Sequence, residues 1–260
     1  MTAGARIFKQ LTTLVAFLIV AVGIVLLINF STRAVAGPAL TPTPLPQLAN
    51  IEVISTKLIN ISENDYDFLA EVKNPNQSYG SGNAFYELTI SNTLGDVISR
   101  LDGQFYIMPG QTKQIIHSPI ELSEPATSAD LKIKSVQWNK IDNAGSYQVN
   151  LIVPSFNYSQ PKNSVVFTQV SGTVLNSSDF DLDTVDIIVT ILNKDNQIVA
   201  ANKTSINTFL ARTNRGFEVK WTSPFVGTIN DIKVEVYTNL FEDSNFIRRF
   251  GSFEKFQELY

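Results

Sequence analysis

A stretch of about 100 residues, a common domain length, occurs twice in this chain, and the duplication limits the fold more than any other feature. Leu88-Thr89-Ile90-Ser91-Asn92 is matched 101 residues later by Val189-Thr190-Ile191-Leu192-Asn193, and Val97-Ile98 by Ile198-Val199. At the same spacing Thr112 falls on Thr213, and Asp130-Leu131-Lys132-Ile133 on Asp231-Ile232-Lys233-Val234. One residue of slack brings Val72-Lys73-Asn74 onto Val174-Leu175-Asn176, and a few more bring Ser118-Pro119 onto Ser223-Pro224. Whatever one copy folds into, the other folds into as well.

Each copy reads as strands. Short runs rich in Val, Ile, Thr, Phe and Tyr alternate with Asn, Asp, Gly and Pro, the rhythm of an all-β domain. In the first copy strands are predicted over Ile51-Ile61, Phe68-Lys73, Phe85-Ser91, Val97-Leu101, Gln104-Met108, Thr112-His117 and Leu131-Trp138. Asn74-Pro75, Gly80-Ser81-Gly82, Leu94-Gly95-Asp96 and Pro109-Gly110 are read as the turns between them. No helix is predicted there. The junction between the copies falls near Asp142-Asn143-Ala144-Gly145.

In the second copy Gly172-Thr173-Val174-Leu175-Asn176 is followed by an acidic stretch and by Val185-Asp186-Ile187-Ile188-Val189-Thr190-Ile191-Leu192. A turn at Asn193-Lys194-Asp195-Asn196, the run Gln197-Ile198-Val199 and Phe217 complete the order. The first copy adds Phe85-Tyr86-Glu87-Leu88 and Pro109-Gly110. Over roughly residues 50–240 this order resembles the FxLYD-type domain of bacterial envelope proteins, an immunoglobulin-like sandwich related in shape to LEA-type sandwiches. The aromatic-Asp end of that motif is degraded in both copies, and Leu210-Ala211 replaces Pro109-Gly110 in the second. The resemblance implies an architecture and a location, and no catalytic residues.

Ahead of the repeats the chain changes character. Between Lys9 and Arg33 lie 23 consecutive uncharged residues, and Leu11-Phe30 is nearly all aliphatic, enough to span a bilayer as a helix. With Arg6 and Lys9 set aside, 18 of the 20 cations face all 24 acids, so the part from Ser31 onward carries a net −6. Arg6, Lys9 and the amino terminus outweigh Arg33 alone, which orients the N-terminus toward the cytoplasm and the rest outside. Ala34-Val35-Ala36 offers a peptidase site, so a cleaved signal peptide is the competing reading. The length of the apolar core and the presence of Arg33 favour an uncleaved signal-anchor. Gly37-Pro46 holds four of the eleven prolines and reads as an extended or disordered stalk. The expected organisation is a cytoplasmic N-terminus (1–10), a transmembrane helix (11–32), a Pro-rich stalk (33–50), sandwich 1 (51–142), sandwich 2 (143–243) and an aromatic-basic tail (244–260).

Chemistry is sparse. There is no cysteine, which removes disulfides, thiolate metal sites and a lipid-attachment site. A pI near 5.1 argues against nucleic acid as a partner. His117, the single histidine, is expected at a strand end in a solvent-facing or hydrogen-bonded role. No G-x-S-x-G elbow, P-loop or dinucleotide fingerprint occurs. The acids Asp179, Asp181, Asp183 and Asp186 make the best metal candidate, for calcium. Counting from Asp179, however, Thr184 and Thr190 stand where an EF-type loop needs glycine and glutamate. Alternation puts Phe180 and Leu182 inward and the aspartates in water, the reading the pattern favours. Trp138 and Trp221 read as core residues rather than sugar platforms. In the tail, Phe246, Phe250, Phe253 and Tyr260 recur at helical spacing beside Arg248, Arg249 and Lys255. Either that element is a last strand or short helix packed on sandwich 2, or Phe246, Arg248, Arg249, Phe250 and Phe253 dock a partner or the membrane surface. The expectation is a membrane-anchored extracytoplasmic β-sandwich protein with a structural or protein-interaction role in the cell envelope. It is expected to have no catalytic residues and no cofactor, and a protein partner. The alternative is an envelope hydrolase or carbohydrate-binding protein using loops at one sandwich end.

Overall fold

A computed structural model describes residues 3–33, 47–61, 63–141, 149–162, 165–225, 228–250 and 254–256. The stalk residues 37–46, the Ala34-Val35-Ala36 site, the junction 142–145, Phe253 and Tyr260 lie outside the described residues. The chain divides into two units, Met1–Gln47 and Leu48–Tyr260. Among its described residues the first contains one helix, α1 (Ala3–Arg33), which begins eight residues before the predicted span. Its stretch Ile7–Asn29 is long and apolar enough to cross a bilayer, and its most apolar part is unburied. A helix whose whole circumference is aliphatic and unburied is unstable in water as an isolated element, whereas lipid accommodates it.

The second unit is all-β. Its first six strands are β1 (Glu52–Asn60), β2 (Asp65–Lys73), β3 (Tyr79–Ser91), β4 (Val97–Ile107), β5 (Thr112–Glu121) and β6 (Ser128–Lys140). The next six are β7 (Leu151–Ser159), β8 (Thr168–Asn176), β9 (Leu182–Asn193), β10 (Ile198–Phe209), β11 (Asn214–Trp221) and β12 (Ile229–Tyr237), followed by α2 (Ser244–Phe250) and β13 (Glu254–Phe256). Every strand pairing is antiparallel. Sheet β1-β2-β5 faces sheet β13-β6-β3-β4 across a core that includes Phe68, Val72, Leu88, Ile90, Ile107 and Trp138. Sheet β11-β8-β7 faces sheet β10-β9-β12 across Val170, Leu182, Ile187, Ile191, Phe209 and Trp221. The chain therefore forms two β-sandwiches, and β7–β12 take the same places in the second as β1–β6 in the first. Both tryptophans are core residues, as expected from the alternation of their strands.

The repeat is visible down to single hydrogen bonds. Asn74, fully buried, donates from Nδ2 to the carbonyls of Tyr79 and Met108, and its Oδ1 accepts the Asn76 amide. Asn176, also fully buried, donates to Phe180, Phe209 and Leu210, and its Oδ1 accepts the Ser178 amide. These side chains satisfy carbonyls left over where a strand ends. The hairpin after β3 is closed by Asn92, whose Oδ1 accepts the amides of Leu94 and Asp96. Asn193 does the same for Asp195 and Gln197. The left-handed position falls on Gly95 (φ 85°) in one turn and on Asn196 (φ 58°) in the other, the residue types that tolerate it.

Three local expectations change. The ladder sets Leu131 opposite Leu88 and Val234 opposite Val189, so Leu131 corresponds to Val234, two residues beyond the match seen in sequence. The strands predicted over Val97-Leu101 and Gln104-Met108 are one strand, β4: Gly103 does not break it but leaves room for the Tyr86 ring. Gly80-Ser81-Gly82 is not a turn. It lies inside β3 at a bulge, and a Cβ on Gly80 or Gly82 would stand 2.7 or 2.8 Å from Phe241.

The two sandwiches stack face to face. Ile59, Leu69 and Ile116 on the outer face of sheet β1-β2-β5 pack against Ile188, Ala201 and Tyr237 on the outer face of sheet β10-β9-β12. The tail then straps them together. Phe246 of α2 is fully buried beside Phe180, while β13 pairs Glu254 with Lys140 and Phe256 with Trp138 at the edge of the first sandwich.

Candidate functional site

The stacking creates a cleft between the sandwiches with two lobes that share Gln104, Phe105, Tyr106 and Asp186 as lining. The lobe of about 400 Å³ is lined by Lys113, Gln114, Ile116, Ile188, Lys203, Ser205 and Tyr237, and the other, of about 380 Å³, by Asp183, Asn239, Glu242 and Asp243. At their border the Tyr106 hydroxyl donates to Asp186 Oδ2 at 2.7 Å, linking β4 of one sandwich to β9 of the other. Burial and the Asp186 charge together push the Tyr106 phenol far above its usual range.

Lys113 is the unusual member. It stands opposite Val72 on β5, in phase with the core residue Ile115, and is only 5% exposed. Its Nζ lies 3.4 Å from the centre of the Tyr106 ring and 4.8 Å from that of Tyr237, a cation–π arrangement. Among the described residues no carboxylate comes within ion-pair reach of it. Desolvation lowers its amine from 10.5 to about 7, with Lys203 adding repulsion and Asp186 and Glu235 opposing the change. Lys203 Nζ reaches the carbonyl of Ile116 across the cleft at 3.5 Å. Around the same interface Gln114 Oε1, Thr190 Oγ1 and Glu235 Oε2 are buried without a hydrogen-bond partner among the described residues.

This depressed amine has a measurable signature. Because the folded-state value lies below the unfolded one, the unfolded chain holds one more proton between about pH 7 and 10.5, so this group makes stability rise with pH across that window. Lys113→Met removes the titration. The variant is expected to be more stable than wild type by about 1–3 kcal/mol at pH 7, the range for replacing buried charge by an apolar side chain. The difference should shrink toward pH 10. Urea melts of both proteins from pH 6 to 10 check it, and a pH-independent difference would contradict the assigned cause.

The sequence-predicted residues sit elsewhere. His117 lies inside β5, not at a strand end, and its Nδ1 is 3.1 Å from the Tyr86 hydroxyl. Burial, helped by the Lys203 charge, lowers its imidazole. The calcium candidates diverge. Asp179 pairs with Arg212, which holds its carboxyl below the usual range. Asp181 Oδ1 accepts the Ala211 amide at 2.8 Å. Asp183 accepts the Ser244 amide at 2.6 Å and Asn245 Nδ2 at 2.8 Å at the start of α2, and hydrogen bonding from the Ser244 side chain and amide holds its carboxyl below the usual range. Asp243 completes that cap by accepting the amides of Asn245 and Phe246. Among the described residues no three acidic or histidine side chains converge on a metal position. Phe180 and Leu182 do point inward, as alternation requires.

Of the tail candidates, Phe246 is buried, while Phe250 stacks with it at 4.7 Å between ring centres and stays 43% exposed. Arg248 bonds to Asn245, and Arg249 to the Asp179 carbonyl at 3.4 Å. Phe253 lies outside the described residues. Phe246 packs into the core of the second sandwich, Arg248, Arg249 and Phe250 are exposed, and the chain continues to the other sandwich. Sequence reasoning missed Lys113 and Tyr106. The available signal was a lysine in phase with the core residue Ile115 on the same strand.

No family model and no curated protein matches the sequence. Among solved structures the chain is similar to a Bacteroides uniformis beta-glucuronidase covalently bound to cyclophellitol-6-carboxylate aziridine, at 11% identity and a TM-score of 0.26. That match covers 67% of this chain and 24% of the other. It is similar to red sea bream transglutaminase at 13% identity and a TM-score of 0.23, covering 74% of this chain and 29% of that one. The C-terminal globular domain of an oligosaccharyltransferase from Pyrococcus abyssi matches at 10% identity and a TM-score of 0.19, over 72% and 46% of the two chains. The chain thus spans less than half the length of each.

Proposed function

We propose that this protein is a single-pass membrane protein, N-terminus in the cytoplasm, that displays a paired FxLYD-type, immunoglobulin-like β-sandwich body outside the membrane as a structural or protein-interaction module of the cell envelope. The observation that carries the reading is α1, whose stretch Ile7–Asn29 is long and apolar enough to cross a bilayer and has an unburied apolar centre. The excess of cations before that stretch supports the orientation. A non-enzymatic role is supported by the engagement of His117 with Tyr86 and by the separate structural partners of Asp179, Asp181 and Asp183. Edge strands such as β4 offer backbone groups to an extended partner segment.

Alkaline carbonate washing of membranes from cells making the full chain tests the anchor. The protein should stay in the pellet with its own N-terminus intact. A soluble product beginning after Ala36 would overturn the anchor in favour of a cleaved leader.

A further inference from the structure

We infer that the cleft between the sandwiches is a binding site for a small organic carboxylate, held by Lys113 and Lys203. Lys113 is only 5% exposed, its amine rests on two tyrosine rings, and among the described residues it has neither a hydrogen-bond acceptor nor an ion pair. A buried ammonium in that condition is costly unless an acceptor completes it. Its ammonium group lines an open cleft of about 400 Å³, a volume within the usual range for small-molecule sites.

The second cation comes from the other sandwich. Lys203, on β10, lines the same lobe and is close enough for its charge to repel Lys113. Lys203 Nζ rests on the Ile116 carbonyl at 3.5 Å, and an anion bound between the two lysines relieves their repulsion and supplies Lys113 with the missing acceptor. Asp186, the one carboxylate lining this lobe, is already engaged by the Tyr106 hydroxyl. The remaining walls decide what the anion is attached to. Ile115, Ile116 and Ile188 give an apolar surface, while Ser205, Thr204 and Gln104 give uncharged polar groups. That lining fits a carboxylate on a short aliphatic body better than a bare inorganic ion. Because the two lysines sit on different sandwiches, occupancy also ties the halves of the body together. This site stands independently of the membrane reading.

The test uses the full chain in detergent, with sodium butyrate as probe and sodium chloride at equal ionic strength as control. Butyrate should raise the Tm of wild type by several degrees once it exceeds the dissociation constant about 100-fold. The shift should be absent in Lys113→Met and reduced in Lys203→Gln, which removes the second charge while leaving Lys113 in place. Butyrate should also raise the pH at which the Lys113 amine titrates, read by NMR of the labelled lysine; a generic salt effect on stability would not move that value. Equal butyrate shifts in wild type and both variants, no shift at all, or stabilisation without any change in the Lys113 titration would each overturn the proposal. Equal stabilisation by phosphate and butyrate would overturn the assignment to an organic carboxylate.

Discussion

Alanine at Asn176 is expected to destabilise the body by about 3–5 kcal/mol, a loss in the range seen when a buried hydrogen-bond network is broken. The residue is fully buried, and its Nδ2 serves three carbonyls, those of Phe180, Phe209 and Leu210, while its Oδ1 takes the Ser178 amide. Truncation leaves the Phe180 and Phe209 carbonyls and the Ser178 amide buried, while the Leu210 carbonyl, on a half-exposed residue, can turn to water. Each orphaned buried group costs about 1–3 kcal/mol, and three acceptors sharing one donor lose less than the simple sum. Asn74→Ala is expected to cost a similar amount in the first sandwich, since its Nδ2 serves Tyr79 and Met108 in the same way. Asn193→Ala is the control: it caps an exposed hairpin, where water replaces the side chain, and should cost below about 1 kcal/mol. Urea denaturation of the three variants gives the comparison. An Asn176→Ala protein within about 0.5 kcal/mol of wild type, the range of ordinary surface changes, would contradict the assigned role.

The second large effect concerns α1. Leu18 and Ile24 lie in the middle of the apolar stretch. Arginine at the centre of a membrane-spanning helix costs about 2.5–3.5 kcal/mol on insertion scales. Leu18→Arg with Ile24→Arg together should therefore abolish carbonate-resistant membrane association, with the protein recovered in the soluble or aggregated fraction. Leu94→Arg, on an exposed turn of the body, should leave association unchanged and controls for the added charge. Retention of the doubly charged protein would mean that something other than α1 holds it.

What the sequence revealed follows from which interactions leave a periodic trace. Strand alternation exposes any face that packs on an apolar core, so β1–β6 and the two tryptophans were legible. The turn at Leu94-Gly95-Asp96 was legible through its left-handed glycine. Gly103 and Gly80-Gly82 misled because a glycine that makes room for a distant ring looks like one that makes a turn. Their partners, Tyr86 and Phe241, are distant in sequence. The stacking of the sandwiches left almost no trace, because an interface carrying Lys113, Lys203, Asp186 and Glu235 has the composition of a solvated surface. In the acidic run alternation places Phe180 and Leu182 inward, but Asp181, Asp183 and Asp186 are half-buried rather than in water. Its individual partners, Arg212, Ala211 and Ser244, are set by the third dimension alone. The tail shows both limits at once: helical spacing pointed to α2, but nothing local announced that the chain would return to pair with Trp138 on the other sandwich.

The reading of the whole chain rests on where the β-body stands relative to the membrane. Adding protease to intact cells that make the full chain, with a tag at each terminus and a known surface protein as cleavage control, addresses this directly. The account predicts that the C-terminal tag and the sandwiches become accessible after outer layers are permeabilised, while the N-terminal tag is cut only after the membrane itself is lysed. Protection of the sandwiches together with cleavage of the N-terminal tag would contradict it.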